Sequence, residues 1–178
     1  MRKINEIFYS LQGEGFHTGT PAVFVRFSGC NLKCSFCDTQ HEEGVWMSDE
    51  EILAEVGKYP AVTVILTGGE PSLWIDREFV DCLHWMGKYV CIETNGTHSL
   101  PDNIDWVTCS PKQGAKLCIS RMDEVKVVYE GQDIAVYESL PAGHFFLQPC
   151  SCSNTAETVA CVMQHPKWRL SLQTHKLI

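Results

Sequence analysis

Cys30, Cys34 and Cys37 fall within one short segment, Gly29-Cys-Asn-Leu-Lys-Cys-Ser-Phe-Cys-Asp38. The spacing C-x3-C-x2-C brings three thiolates close enough to grip one inorganic centre. A [4Fe–4S] cluster usually takes four thiolates, so three leave one iron open to a small molecule able to chelate it. The competing reading is a zinc knot completed by His41 or His17, because structural zinc closes its coordination with four N or S ligands. A second group, Leu66-Thr-Gly-Gly-Glu-Pro71, follows a continuous apolar run. Adjacent glycines let a backbone approach a ligand closely, and the Glu70 carboxylate can accept from an ammonium group. Taken alone, Gly-Gly-Glu is equally an ordinary turn.

Other polar residues stand where their chemistry needs an explanation. Arg26 lies inside an apolar strand between Val25 and Phe27, a costly place for a charge without an anionic partner. A substrate carboxylate or Glu14 would serve, and a core ion pair is the plainer alternative. Gln12 and Glu14 offer an amide and a carboxylate, groups that serve a polar ligand or simply form a polar turn. The chain carries ten cysteines. Cys82, Cys91, Cys109, Cys118 and Cys161 sit among apolar neighbours and read as small core hydrophobes. Cys150 and Cys152 form a C-x-C pair apart from both groups.

These residues need a scaffold, and the hydrophobic pattern supplies one. Strands are predicted at Ile4–Ser10, Ala22–Ser28, Val62–Leu66, Tyr89–Glu93, Trp106–Cys109, Glu124–Tyr129, His144–Gln148 and Trp168–Gln173. Several are unbroken Val/Ile/Phe runs, as in strands covered on both faces of a parallel sheet. Ser48 opens a capping box with Glu51, and Ile52, Leu53 and Val56 follow at helical spacing. Further helices are predicted near Arg77–Lys88 and Asn154–His165, the latter stopped by Pro166. The alternation predicts an α/β fold with about six parallel strands and a reduced set of helices. A complete eightfold barrel needs about 250 residues, so 178 residues form a partial, TIM-like one as a single domain over 1–178. In such sheets the site gathers at the carboxyl ends of the strands, where the cysteine loop, Gly-Gly-Glu, Glu-Thr-Asn-Gly and Ser-Pro-Lys all fall.

Net charge is −8, and no block of Lys and Arg forms a phosphate-tracking patch, which argues against direct nucleic-acid binding. No apolar run approaches the roughly 20 residues of a membrane span, and the start lacks a signal peptide's apolar stretch. A cytoplasmic enzyme with reduced thiols is the expectation.

With the cysteine triad, a Phe before its third member and Gly-Gly-Glu in place, the sequence resembles the radical S-adenosylmethionine (SAM) superfamily. The segments Glu6–Gly15, Cys37-Asp-Thr39, Ile92–Gly96, Ser110-Pro-Lys112, Val125–Val128 and Leu172–Lys176 narrow the resemblance to the 7-carboxy-7-deazaguanine synthase family, over nearly the whole chain. That resemblance implies a lyase of 7-deazapurine (queuosine) biosynthesis. It would convert 6-carboxy-5,6,7,8-tetrahydropterin to 7-carboxy-7-deazaguanine with release of ammonia. The implied cofactors are a [4Fe–4S] cluster on Cys30, Cys34 and Cys37, SAM, and Mg2+ on Thr39. The implied SAM contacts are Phe36, Cys37, Asp38, Gly69, Ser110, Pro111, Lys112 and Gln148. The implied substrate contacts are Leu11, Gln12, Gly13, Glu14, Arg26, Thr67 and His175. No side chain is assigned a catalytic role: the radical comes from SAM, takes hydrogen from C6 of the pterin, and is regenerated after ring contraction. A homodimer and an electron donor such as flavodoxin or ferredoxin complete the implied picture.

Overall fold

The computed structural model describes residues 1–37, 39 and 41–176. Among the described residues nine strands form one sheet in the order β3-β1-β2-β4-β5-β6-β7-β8-β9. Their ranges are β1 Arg2–Leu11, β2 Pro21–Phe27, β3 Val45–Met47, β4 Thr63–Gly68, β5 Tyr89–Thr94, β6 Trp106–Cys109, β7 Glu124–Tyr129, β8 His144–Pro149 and β9 Arg169–Leu170. From β2 to β9 every neighbouring pair is parallel, and β1 pairs antiparallel with β2 and β3. The expected core of six parallel strands is therefore β2 and β4 to β8. The last expected strand shrinks to two residues, and the apolar run of β3, Val45-Trp-Met47, is only three residues long and is exposed at Val45 and Trp46, too short to predict a strand.

Helices α1 (Asp49–Val56), α2 (Arg77–Trp85) and α3 (Thr155–Gln164) are the α-helices of the described residues. The capping box is formed as expected: the Glu51 N–H donates to Ser48 Oγ, and the Ser48 N–H to the Glu51 carboxylate. The β5–β6, β6–β7 and β7–β8 crossings lack α-helices. There the outer core is covered by loop residues Ile104, Met122, Ile134 and Tyr137.

Strand periodicity sorts the sheet into two faces. Val23, Val25, Phe27, Val64, Leu66, Val90, Ile92, Val107, Val125, Val127 and Leu147 point outward into the core with Ile52, Val56, Phe79, Val80 and Leu83 of α1 and α2. The alternate residues form a smaller inner cluster of Ala22, Phe24, Ile65 and Cys91, packed with Phe8 and Trp106. Continuing along the same inner rows toward the carboxyl ends, side chains turn polar: Arg26, Thr67, Glu93, Lys126 and Gln148. The fold thus builds a dry floor under a polar mouth.

Cys91 and Cys109 are buried as expected, and Cys82 and Cys161 half-buried, but Cys118 is exposed. It lies in the helix-free β6–β7 crossing, where its apolar neighbours Leu117 and Ile119 face inward without drawing it along.

One buried cation pins the edge of this arrangement. Arg2 on β1 donates to both carboxylate oxygens of Asp49 at 2.8 Å and to Asp76 at 3.1 Å, with Phe79 4.3 Å beneath its guanidinium. Asp49 opens α1 and Asp76 caps α2, so one side chain ties a strand to two helix starts. Arg2→Met is expected to lower stability by about 1–3 kcal/mol, measured by urea unfolding, because it removes charge-assisted hydrogen bonds to two helix starts. An unchanged midpoint would contradict this.

Candidate active site

The cysteine loop leaves the end of β2 and returns to it. The Gly29 N–H donates to the His41 carbonyl at 2.7 Å, closing the loop at its root. Within it the Leu32 N–H donates to Cys30 Sγ at 3.4 Å, and the Cys37 thiol to the Thr39 carbonyl at 3.6 Å. Burial pushes the Cys30 thiol above its ordinary range, partly offset by the Leu32 N–H. Cys30, Cys34 and Cys37 line one cavity, together with Phe36, Thr39, Gly69 and Lys112. All three are free thiols. Among the described residues no three Cys, His, Asp or Glu side chains converge tightly on the position of a single metal ion. His41 shares the cavity wall, whereas His17 packs edge-on against Trp106 at the floor, 4.7 Å between rings.

The Gly-Gly-Glu turn is built to sit on the root of this loop. A Cβ on Gly68 (φ +120°) would collide with the Phe27 backbone, and one on Gly69 with the Gly29 carbonyl. The Gly69 N–H donates to the Phe27 carbonyl at 3.0 Å, and the Glu70 N–H to the Gly29 carbonyl at 2.9 Å. Glu70 is turned into the protein. Its side chain is 1% exposed and accepts from Thr94 Oγ1 at 2.6 Å, the Asn95 N–H at 2.8 Å and the Ser72 N–H at 3.0 Å. These bonds join the β4 and β5 loops, and the Gly68-Gly69 backbone lines the cysteine cavity beside them. Asn95 extends the joint to the cysteine loop by donating to Asn31 Oδ1 at 3.1 Å.

Opposite the cysteines, Lys112 Nζ donates to Ser110 Oγ at 2.7 Å and lies 5.3 Å from the centre of the Phe36 ring. Burial holds this ammonium below the usual lysine range, a favourable setting for a ligand carboxylate. Gln148, 5% exposed, lines the same cavity and accepts from Ser171 Oγ at 3.2 Å. Pro111 faces a neighbouring hollow shared with Cys34, Phe36 and Lys112. Asp38 lies outside the described residues.

A second cavity adjoins the first. Leu11, Gln12, Gly13, Glu14, Arg26, Thr67 and His175 all line it, as do Glu6, Phe8 and Glu93. Glu14, Thr39, Thr67, Gly68, Glu93 and Gln173 border both cavities and form the wall between them. His175 reaches this wall because the Thr174 N–H donates to the Gly13 carbonyl at 2.9 Å, and Gly13 leaves no room for a Cβ beside the imidazole. Arg26 does not pair with Glu14. Its Nε donates to Glu6 at 2.8 Å across the β1–β2 pair, and its side chain is 23% exposed, so the ion pair is at the cavity rim and not in the core.

Glu14 is instead held by Lys126 of β7, a residue with no role assigned from sequence. Lys126 Nζ donates to Glu14 Oε2 and, at 3.0 Å, to Glu93 Oε1. Glu93 also accepts from Gln12 Nε2 at 3.1 Å and Thr67 Oγ1 at 2.8 Å, and Glu14 from Gln173 Nε2 at 2.9 Å. Burial alone would lower the Lys126 ammonium, but Glu14, Glu93 and Glu124 outweigh it and hold the group well above its ordinary range. Burial opposes ionisation of Glu14 too, and Lys126 overcomes it, keeping that carboxyl below its usual range. Glu93, Lys126 and Gln173 were missed as site residues. The available signal was the one that singled out Arg26: a charge inside an apolar strand, here Val125-Lys-Val-Val128.

The radical SAM superfamily model matches residues 24–108. A 7-carboxy-7-deazaguanine synthase of Bacteroides thetaiotaomicron is 83% identical over all of this chain and 98% of its own length. Another, from Nitratidesulfovibrio vulgaris, is 41% identical over 99% of this chain and 97% of its own. The crystal structure of QueE from Escherichia coli superposes with a TM-score of 0.81 at 31% identity, covering 97% of this chain and 93% of that one. The cysteine loop and the turn docked on it are thus those of a radical SAM protein, for which the superfamily implies a [4Fe–4S] cluster and SAM, and the chain belongs to the 7-carboxy-7-deazaguanine synthase family.

Proposed function

We propose that the chain converts 6-carboxy-5,6,7,8-tetrahydropterin to 7-carboxy-7-deazaguanine with loss of ammonia, using the two cavities as adjoining cofactor and substrate sites. The observation that carries this is their common wall: a ligand in the cysteine-lined cavity and one in the polar cavity meet across Thr39, Thr67, Gly68 and Glu93. The donor set fits the group it has to hold. Three thiols on one loop would hold three irons of a cluster, and the Gly68-Gly69 backbone and Lys112 line the same cavity. When bound, cluster and SAM together supply a 5′-deoxyadenosyl radical.

The protein's own part is placement and electrostatics. Cys30, Cys34 and Cys37 hold the cluster. The Gly69 backbone takes the amino end of SAM and Lys112, beside Ser110, its carboxylate. Phe36, Cys37 and Gln148 shape the rest of that cavity, and Pro111 would reach SAM from the hollow beside it. In the polar cavity Gln12 and Glu14 take the aminopyrimidinone edge of the pterin, Arg26 its carboxylate, and Leu11, Gly13, Thr67 and His175 enclose the ring. Thr39 borders both cavities and would give one oxygen to Mg2+, the remainder coming from the substrate carboxylate and water. An external one-electron donor of the flavodoxin or ferredoxin class is required, and the catalytic unit is a homodimer in the cytoplasm.

The test is anaerobic reconstitution with iron and sulfide, then incubation with the pterin, SAM, reductant and Mg2+. Deazaguanine product identified by mass spectrometry supports the reading, and SAM cleavage without that product contradicts it. Arg26→Met is expected to raise KM for the pterin by roughly 10- to 100-fold, the range for losing a charge-assisted hydrogen bond. An unchanged KM would remove Arg26 from the substrate site.

A further inference from the structure

We propose that Lys126 is a specificity-determining positioning residue, acting through Glu14 and Glu93 to make the polar cavity accept a ring edge of N–H donors and refuse one of carbonyl oxygens. The proposal deepens the pterin reading and rests on it.

Lys126 lines the cysteine-side cavity alone, whereas the two carboxylates it holds border both cavities. Its side chain is 7% exposed, and the two partners are 15% and 23% exposed. Glu14 arrives from the loop after β1, Glu93 from the end of β5 and Gln173 from beyond β9. One ammonium group therefore fixes acceptors contributed by distant parts of the chain. Glu124 sits two residues before Lys126 on the same face, 2% exposed, and burial holds its carboxyl above the ordinary range. Without the cation, the Glu14 and Glu93 carboxylates would stand uncompensated beside Glu124, and Glu14, whose ionisation burial opposes, would take up a proton. A protonated carboxyl presents an O–H where a 2-amino-4-oxo ring edge presents N–H, so donor would meet donor. With the cation in place both groups offer acceptors only. A 2,4-dioxo edge, which puts a carbonyl in place of the amino group, then meets oxygen with oxygen.

The experiment compares wild type with Lys126→Met, which keeps the length of the side chain and removes its charge. Dissociation constants are measured for 6-carboxytetrahydropterin, for its 2,4-dioxo analogue and for SAM. The pterin is expected to weaken by roughly 10- to 100-fold. The dioxo analogue and SAM are each expected to move by less than about threefold, so that preference between the two rings collapses. A purely structural lysine would weaken both rings together, and that outcome, or an unchanged pterin affinity, overturns the proposal. Should Lys126→Met fail to fold, the double variant K126M/E93Q leaves one carboxylate, Glu14, without its cation instead of two. It must bind the pterin at least about tenfold more weakly than E93Q alone, and equal affinity overturns the proposal. Failure of wild type to bind the pterin at all would instead sink the underlying substrate reading, a separate and recognisable result.

Discussion

Cys34→Ala is expected to abolish deazaguanine formation and to leave the purified protein with little iron after anaerobic reconstitution. Cys34 stands between the other two ligands on a loop whose root is closed by the Gly29–His41 bond. The substitution removes the centre on which all radical chemistry depends, so the loss is expected to be complete and not graded. Cys150 lines the same cavity from the end of β8 and is the one nearby thiol that could substitute. The double variant Cys34→Ala/Cys150→Ala checks this. Iron and sulfide analysis alongside the product assay reads the result, and wild-type turnover in Cys34→Ala would remove that residue from the cluster site.

Glu70→Ala is expected to be the most damaging substitution outside the ligands, and to act on the scaffold before it acts on chemistry. The Thr94 hydroxyl and the Asn95 and Ser72 N–H groups would lose their acceptor inside the protein. Each such loss costs about 1–3 kcal/mol, so about 3–5 kcal/mol is expected for the group, or roughly 10 °C in Tm. The β4 and β5 loops would separate, and the Asn95–Asn31 bond that steadies the cysteine loop would go with them. Cluster content should therefore fall as well, although Glu70 faces away from the cavity. A variant that melts with wild type but loses SAM affinity would reverse this account and restore Glu70 to direct recognition of the ammonium group.

Much of this was legible in the chain because local pattern and tertiary role coincide. The Val/Ile runs of β4 and β5 are covered on both faces, and the Ser48–Glu51 box starts α1 as written. The triad spacing and Gly-Gly-Glu drew attention to the two loops that do dock on one another. The failures share one cause. Arg26 and Lys126 are both charges inside apolar strands, and sequence does not say which acid each one meets. For Arg26 the sequence offers a substrate carboxylate, Glu14 or a core ion pair; strand pairing sets Glu6 opposite it, and Glu14 reaches Lys126 from a loop. Glu70 was read outward for the same reason. Its partners Thr94 and Asn95 come from the next strand's end, a neighbour fixed by sheet order and not by sequence distance. Cys118 departs because apolar neighbours in a loop do not carry each other inward as they do in a strand.

The central claim is that three thiolates leave one iron for SAM to complete, and magnetic resonance of the reduced, reconstituted protein tests it most directly. SAM labelled with 15N in its amino group and 17O in its carboxylate is added, and electron–nuclear double resonance is recorded on the cluster signal. Hyperfine coupling from both labels is predicted, as expected for a SAM molecule chelating the fourth iron. A cluster signal indifferent to labelled SAM, or a bound metal already enclosed by Cys30, Cys34, Cys37 and His41, would contradict it.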